Sequence, residues 1–234
     1  MLRSPTCSVN RARQLISERD NSVAPEISPY RALILDFAGV LTEGIHESQV
    51  AWCRAEGLDD DAWRRTLNDH PQGRQLYTEL EIGRMDQVRW NEATAPLLGV
   101  APDNLMGRAW AEVRPALAMI ELAKAAREAG LKVALLSNSF GLSPYNPYEH
   151  VEVWDLFDVR VVSELVGLAK PDPAIYRLTL DRLDLPAGEC VFVDDHPKNL
   201  PPAAALGMTT VLGDGSPEVV ERLRTLLGVQ TPVA

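Results

Sequence analysis

Four short polar stations each close or follow a run of apolar residues. Asp36 follows Ala32-Leu-Ile-Leu35, Ser137-Asn138 follow Val133-Ala-Leu-Leu136, Lys170-Pro171 come after Val159-Arg-Val-Val162, and Asp194-Asp195 follow Val191-Phe-Val193. If the runs are parallel strands, the four stations meet at one edge of a sheet. A carboxylate, a hydroxyl, an ammonium and a pair of carboxylates gathered there make a site for Mg²⁺ and a phosphoryl group. Adjacent carboxylates repel each other, so a cation is the natural third member of the Asp194-Asp195 pair. The chain has only four lysines against nineteen arginines, so a lysine at this spot is a pointed choice. A compact ammonium is suited to offsetting the negative charge of a carboxylate and a phosphoryl group held close together.

The apolar runs are continuous rather than alternating in polarity, as expected of strands buried on both faces of a parallel sheet. Thr209-Thr-Val-Leu212 is a weaker fifth run. Helical patterns lie between them, clearest in Ala116 to Glu128, before Gly130, and in Pro173 to Leu183. The alternation predicts a doubly wound, Rossmann-like α/β core. The gap from Asp36 to Ser137 is at least three times as long as the gaps that follow, too long for one crossover, so only there can a domain be inserted. Residues from about Ile45 to Val113 offer helices and no convincing strand: Glu47 to Ala55, Asp60 to Leu67, Gln72 to Glu81, Met85 to Leu98 and Asn104 to Val113. Asp86 is a plausible start and Gly99 a plausible stop for the fourth. Trp52, Trp63, Trp90 and Trp110 are expected to form the small core of this insert, and Asp59-Asp60-Asp61 to be the charged first turn of a helix. Residues 1–29 are polar, mixed in charge and end in Ala-Pro-Glu-Ile-Ser-Pro, an extension with a short helix around Arg11 to Arg19.

With 234 residues, 46% of them hydrophobic and 24% charged, the chain can hold one sizeable core and a smaller second unit. A formal charge of −10 argues against a nucleic-acid or anionic-membrane surface. Cys7, Cys53 and Cys190 are far apart and odd in number, which suits reduced thiols, with Cys190 as buried filler. No apolar stretch reaches membrane-spanning length and the first thirty residues lack the apolar region of a signal peptide, so a cytoplasmic location is expected.

The order and spacing of the stations resemble the haloacid dehalogenase superfamily, in its phosphatase-like branch with a helical cap after the first strand, as in the N-terminal phosphatase-like part of epoxide hydrolases. The resemblance spans about residues 31 to 225. It implies a core of residues 30–44 and 113–234 and a cap of residues 45–112 that closes over the site, with the bend Glu81-Ile-Gly83-Arg84 as the part of the cap nearest it. It implies that Asp36 attacks phosphorus and becomes an aspartyl-phosphate, that Lys170 is its catalytic partner, and that Ser137 and the backbone N–H of Asn138 bind a phosphoryl oxygen. Mg²⁺ would be held by Asp36, the carbonyl of Ala38, Asp194 and Asp195.

The first motif, Asp36-Phe-Ala38-Gly39-Val40-Leu41, departs from the family pattern at its second acid. In the phosphatase branch that acid protonates the leaving group and then draws a proton from the attacking water. Ala38 keeps the carbonyl and loses the acid, which removes about two to four orders of magnitude of assistance from alkyl ester hydrolysis. Acyl and aryl phosphates would suffer least. Asp195, Glu43 and His196 are candidate substitute proton carriers. Phosphonate-cleaving relatives carry a similar first motif but need a lysine in the cap, and the first lysine here is Lys124. The expectation is therefore a Mg²⁺-dependent phosphatase of a small phosphorylated metabolite, attenuated or selective for good leaving groups. The alternative is a catalytically impaired protein that binds phosphate or a protein partner through the same pocket. Haloacid dehalogenation is a distant third, since Asp194 and Asp195 would repel a carboxylate substrate.

Overall fold

The computed structural model describes residues 28–230, so the expected N-terminal helix and Cys7 lie outside the described residues. Strands β1 (Ala32–Leu35) and β2 (Thr42–Glu43) lead into helices α1 (Ile45–Ala55), α2 (Ala62–Arg64), α3 (Pro71–Glu81), α4 (Gln87–Leu98) and α5 (Leu105–Ala109). There follow β3 (Arg114–Pro115), α6 (Leu117–Glu128), β4 (Lys132–Ser137), α7 (Pro147–His150), β5 (Val159–Val162) and α8 (Ser163–Val166). The chain continues through α9 (Pro173–Leu183), β6 (Cys190–Asp194), α10 (Leu200–Ala205), β7 (Thr209–Leu212) and α11 (Pro217–Leu227).

Five strands form one parallel sheet in the order β5-β4-β1-β6-β7. Leu35 pairs with Leu135 on one side and Val193 on the other, so Asp36 leaves the central strand between the ends of β4 and β6. Such a point, where the order of connections reverses, opens a crevice at the carboxyl ends of the strands. The continuous apolar runs are required because both faces are covered. Leu33 and Leu35 pack with Leu122 and Leu223 on one face, and Ala32 and Ile34 pack with Ile175, Tyr176 and Ala203 on the other. Cys190 is fully buried, as expected of a filler residue.

All the elements between β2 and β3 are helical. β2 and β3 themselves form an antiparallel neck, Thr42 opposite Pro115 and Glu43 opposite Arg114, which two residues per strand left invisible in the sequence. Asp86 caps α4 by accepting from Arg89 N–H at 2.8 Å, and Gly99 ends it at φ 72°. The helix expected over Asp60 to Leu67 runs over 62–69, as α2 and a wider π-helical stretch, Arg65–Asp69, and ends where His70 lies extended before Pro71. α5 is shorter than expected. Trp52 and Trp63 meet at 5.3 Å between ring centroids, and Trp63 and Trp90 at 6.0 Å, which makes the expected small core. Trp110 departs from the expectation. Its ring lies 4.6 Å from Phe140, so it ties the helical insert to the core. The acidic run is exposed and paired, Asp60 with Arg54, Asp59 with Arg65, and Asp61 with Arg64 and Arg65.

Candidate active site

Asp36 extends the edge of β1 by one more ladder bond, its N–H donating to Val193 O at 2.9 Å, so its backbone is as fixed as the strand. The turn that follows needs glycine at 39. Gly39 has φ +76°, and a Cβ there would sit 2.4 Å from Asp195 Oδ2. That turn therefore brings the first motif against the fourth. The Asp36 side chain is buried and accepts on Oδ1 from Phe37 N–H at 2.7 Å and from Lys170 Nζ at 2.8 Å. Among the described residues both hydrogen bonds fall on Oδ1, which leaves Oδ2 as the oxygen free to meet an electrophile.

Lys170 is buried and its ammonium is shared, reaching Asp194 Oδ2 at 2.7 Å as well as Asp36. Asn138 holds its backbone: Asn138 Nδ2 donates to Lys170 O at 3.0 Å, and Lys170 N–H donates to Asn138 Oδ1 at 2.8 Å. The side chain of Asn138 is thus committed to placing the lysine. Ser137 is buried at the end of β4 and accepts on Oγ from the Tyr148 hydroxyl at 3.0 Å. Asp194 Oδ1 accepts from His196 N–H and from Asn199 Nδ2, each at 2.9 Å. Asn199 and Tyr148 carry no signal in the sequence, because each lies on a short segment after a proline whose path is set only by the fold.

Asp36, Asp194 and Asp195 can each offer an oxygen such that all three lie within 4.8 Å of one another. Three carboxylates against one ammonium leave two negative charges, the charge of one divalent cation, and an all-oxygen donor set suits a hard ion. The acids themselves register the crowding. Burial first, then the charge of Asp194, push the Asp36 carboxyl up to about 7 against the opposing pull of Lys170. Asp195 is also raised, chiefly by burial and then by Asp194.

The helical insert reaches this edge at the bend after α3. Ser163 Oγ donates to Glu81 O and accepts from Ser139 N–H, linking the bend to the loop after β4. Gly83, at φ +69°, lies so close to the backbone of Glu164 that a Cβ would stand 2.2 Å from Glu164 O. Gln87, at the start of α4, donates to Phe140 O and Tyr145 O at 3.1 Å each and accepts from Tyr145 N–H at 2.9 Å. Burial raises the Glu81 carboxyl, while Lys198 and Lys170 pull it down, so this acid feels the lysine of the site. Of the substitute proton carriers expected from sequence, Asp195 lies against Gly39, next to Ala38. Glu43 is exposed on β2, and His196 is exposed and meets the site through its backbone N–H.

The profile of haloacid dehalogenase-like hydrolases matches residues 30–207. The chain belongs to that family of hydrolases. It is 27% identical over 219 residues to bifunctional epoxide hydrolase 2 of Sus scrofa, a match covering 86% of this chain and 39% of that protein. It is 33% identical over 116 residues to a sesquiterpene phosphatase of Aspergillus oryzae, covering 50% of this chain and 59% of that one. The chain spans less than two thirds of the length of these curated relatives. Among solved structures, an enzyme of the same family from Bacteroides thetaiotaomicron in magnesium complex superposes with a TM-score of 0.66 at 21% identity, covering 84% of this chain and 99% of that one. The same enzyme has been solved with magnesium and inorganic phosphate. The fold, the family and the relation to phosphatases expected from the four motifs thus hold for this hydrolase.

Proposed function

We propose that this hydrolase is a Mg²⁺-dependent phosphatase of a small phosphorylated metabolite, working through an aspartyl-phosphate on Asp36 and favouring good leaving groups. The observation that carries the reading is the Lys170 ammonium held between Asp36 and Asp194, beside a third carboxylate on Asp195. Similarity to phosphatases supports a phosphorylated substrate.

In this reading Asp36, the Ala38 carbonyl, Asp194 and Asp195 hold the cation, which when bound neutralises phosphoryl oxygens and lowers the charge barrier to attack. Asp36 Oδ2 forms a bond to phosphorus while the bond to the leaving oxygen breaks, and the electron pair departs with that oxygen. Lys170 offsets the negative charge shared by the carboxylate and the phosphoryl group. Ser137 Oγ–H and the Asn138 N–H bind a phosphoryl oxygen. Water then attacks phosphorus, releasing phosphate and restoring Asp36. Ala38 gives no proton in the first step and takes none in the second, so both rely on solvent or a neighbour. The cap, residues 45–112, closes over the core of residues 30–44 and 113–234 and selects substrate. Among the described residues no helix is long and apolar enough to cross a membrane, and a cytoplasmic setting fits the reading.

A metal titration tests it. The Asp36 carboxyl lies above its ordinary value, at about 7, so its contribution to stability is present at low pH and lost as pH rises through that value. A bound cation cancels that loss. Mg²⁺ at millimolar concentration is expected to raise the melting temperature, by more at about pH 8 than at about pH 5. Asp194→Asn is expected to abolish most of the shift. A wild type with no shift at either pH would remove the metal site from the proposal.

A further inference from the structure

We propose that Tyr148 is a positioning residue for phosphate binding: its hydroxyl donates to Ser137 Oγ and so turns the Ser137 O–H toward the phosphoryl group. The inference rests on the phosphate-binding reading of Ser137. Tyr148 is fully buried on α7, whose first turn is set by Asn146 Oδ1 accepting from Tyr148 N–H at 3.1 Å. Its ring packs 4.5 Å from Phe37, the residue after Asp36, and 5.4 Å from Trp154. Those contacts explain an aromatic ring at this position. They do not explain the hydroxyl, since a phenylalanine would fill the same space without desolvating a polar group.

The hydroxyl has a defined partner, Ser137 Oγ at 3.0 Å. Burial raises the Tyr148 phenol far above its ordinary value, so it stays protonated and remains a donor. Ser137 then uses an oxygen lone pair on Tyr148 and keeps its own proton to give. Among the described residues the Ser137 O–H finds only Asn138 O at 3.4 Å, a long contact for two oxygens. A charged phosphoryl oxygen is the better acceptor, and such charge-assisted bonds are about twice as strong as neutral ones. Tyr148 thus removes the orientations in which Ser137 would present a lone pair to an anion.

The experiment uses the Mg²⁺-loaded full chain with inorganic phosphate as the probe, its affinity read by competitive inhibition and by thermal shift, in wild type, Tyr148→Phe, Ser137→Ala and the double variant. Tyr148→Phe is expected to weaken phosphate about tenfold, the effect of one good hydrogen bond. Ser137→Ala is expected to weaken it at least as much, and adding Tyr148→Phe to Ser137→Ala to cost nothing further. A general loosening of the fold would instead weaken both backgrounds alike, so the double variant separates positioning from packing. Wild-type affinity in Tyr148→Phe, or losses that multiply in the double variant, would overturn the role of Tyr148 and leave phosphate binding standing. A wild type that ignores phosphate would overturn both.

Discussion

Ala38→Asp is expected to raise hydrolysis of an alkyl phosphate by at least about tenfold, because it restores an acid and base that is worth two to four orders of magnitude in such reactions. Ala38 lies half-buried in the turn that follows Asp36, one residue before Gly39, which abuts the Asp195 carboxyl, so the new carboxyl enters a turn rather than the packed sheet. Aryl phosphates should gain much less, since their leaving groups barely need a proton. Steady-state rates on one alkyl and one aryl ester, for both proteins, give the ratio directly. Asp36→Asn should remove activity in either background. If Ala38→Asp stays folded and as inert as an inert wild type, the non-catalytic reading of the pocket is correct.

Lys170→Met is expected to cost about 3–5 kcal/mol at about pH 8, the usual penalty for leaving buried charges without their partner. One ammonium serves two carboxylates here, and both lie within the protein. The sign with pH follows from the same fact. Without Lys170 the Asp36 carboxyl, already raised by burial, loses the charge that pulls it down, so the variant keeps stability at low pH and loses it as pH rises. At about pH 5 the penalty should therefore be smaller, and Mg²⁺ should recover part of it at pH about 8. Denaturant melts at the two pH values measure this. Lys198→Met, which changes an exposed lysine, is the control and should stay within about 0.5 kcal/mol of wild type. An equal penalty at both pH values would mean that Lys170 contributes through packing rather than charge.

The sheet and its carboxyl edge were legible because parallel strands buried on both faces must be apolar without interruption, which marks their ends sharply. Asp36, Ser137 and Asp194 stand at such ends, Lys170 follows β5 beyond α8, and Asp36, Lys170 and Asp194 meet in the fold. What the sequence hid depends on three-dimensional paths. The neck of β2 and β3 is too short to carry a pattern, and Trp110 has the same sequence context as the other tryptophans yet packs across to Phe140. The side chain of Asn138, which the sequence does not single out, holds the backbone of Lys170, 32 positions away. Tyr148 and Asn199 reach Ser137 and Asp194 from short segments that have no periodicity to read. Polar side chains that bond to other polar side chains leave no one-dimensional trace, whereas buried strands do.

The central claim is that Asp36 carries the phosphoryl group, and the missing acid and base makes that state accessible. With an aryl phosphate the first step needs little help, while attack of water on the aspartyl-phosphate lacks its base, so the intermediate should build up. Mixing the Mg²⁺-loaded protein with excess aryl phosphate, quenching in acid and weighing the intact chain should reveal the added mass of one phosphoryl group. Peptide mapping should place it on Asp36, and Asp36→Asn should show none. An unmodified chain after release of aryl alcohol, or a phosphoryl group on another residue, would contradict the account.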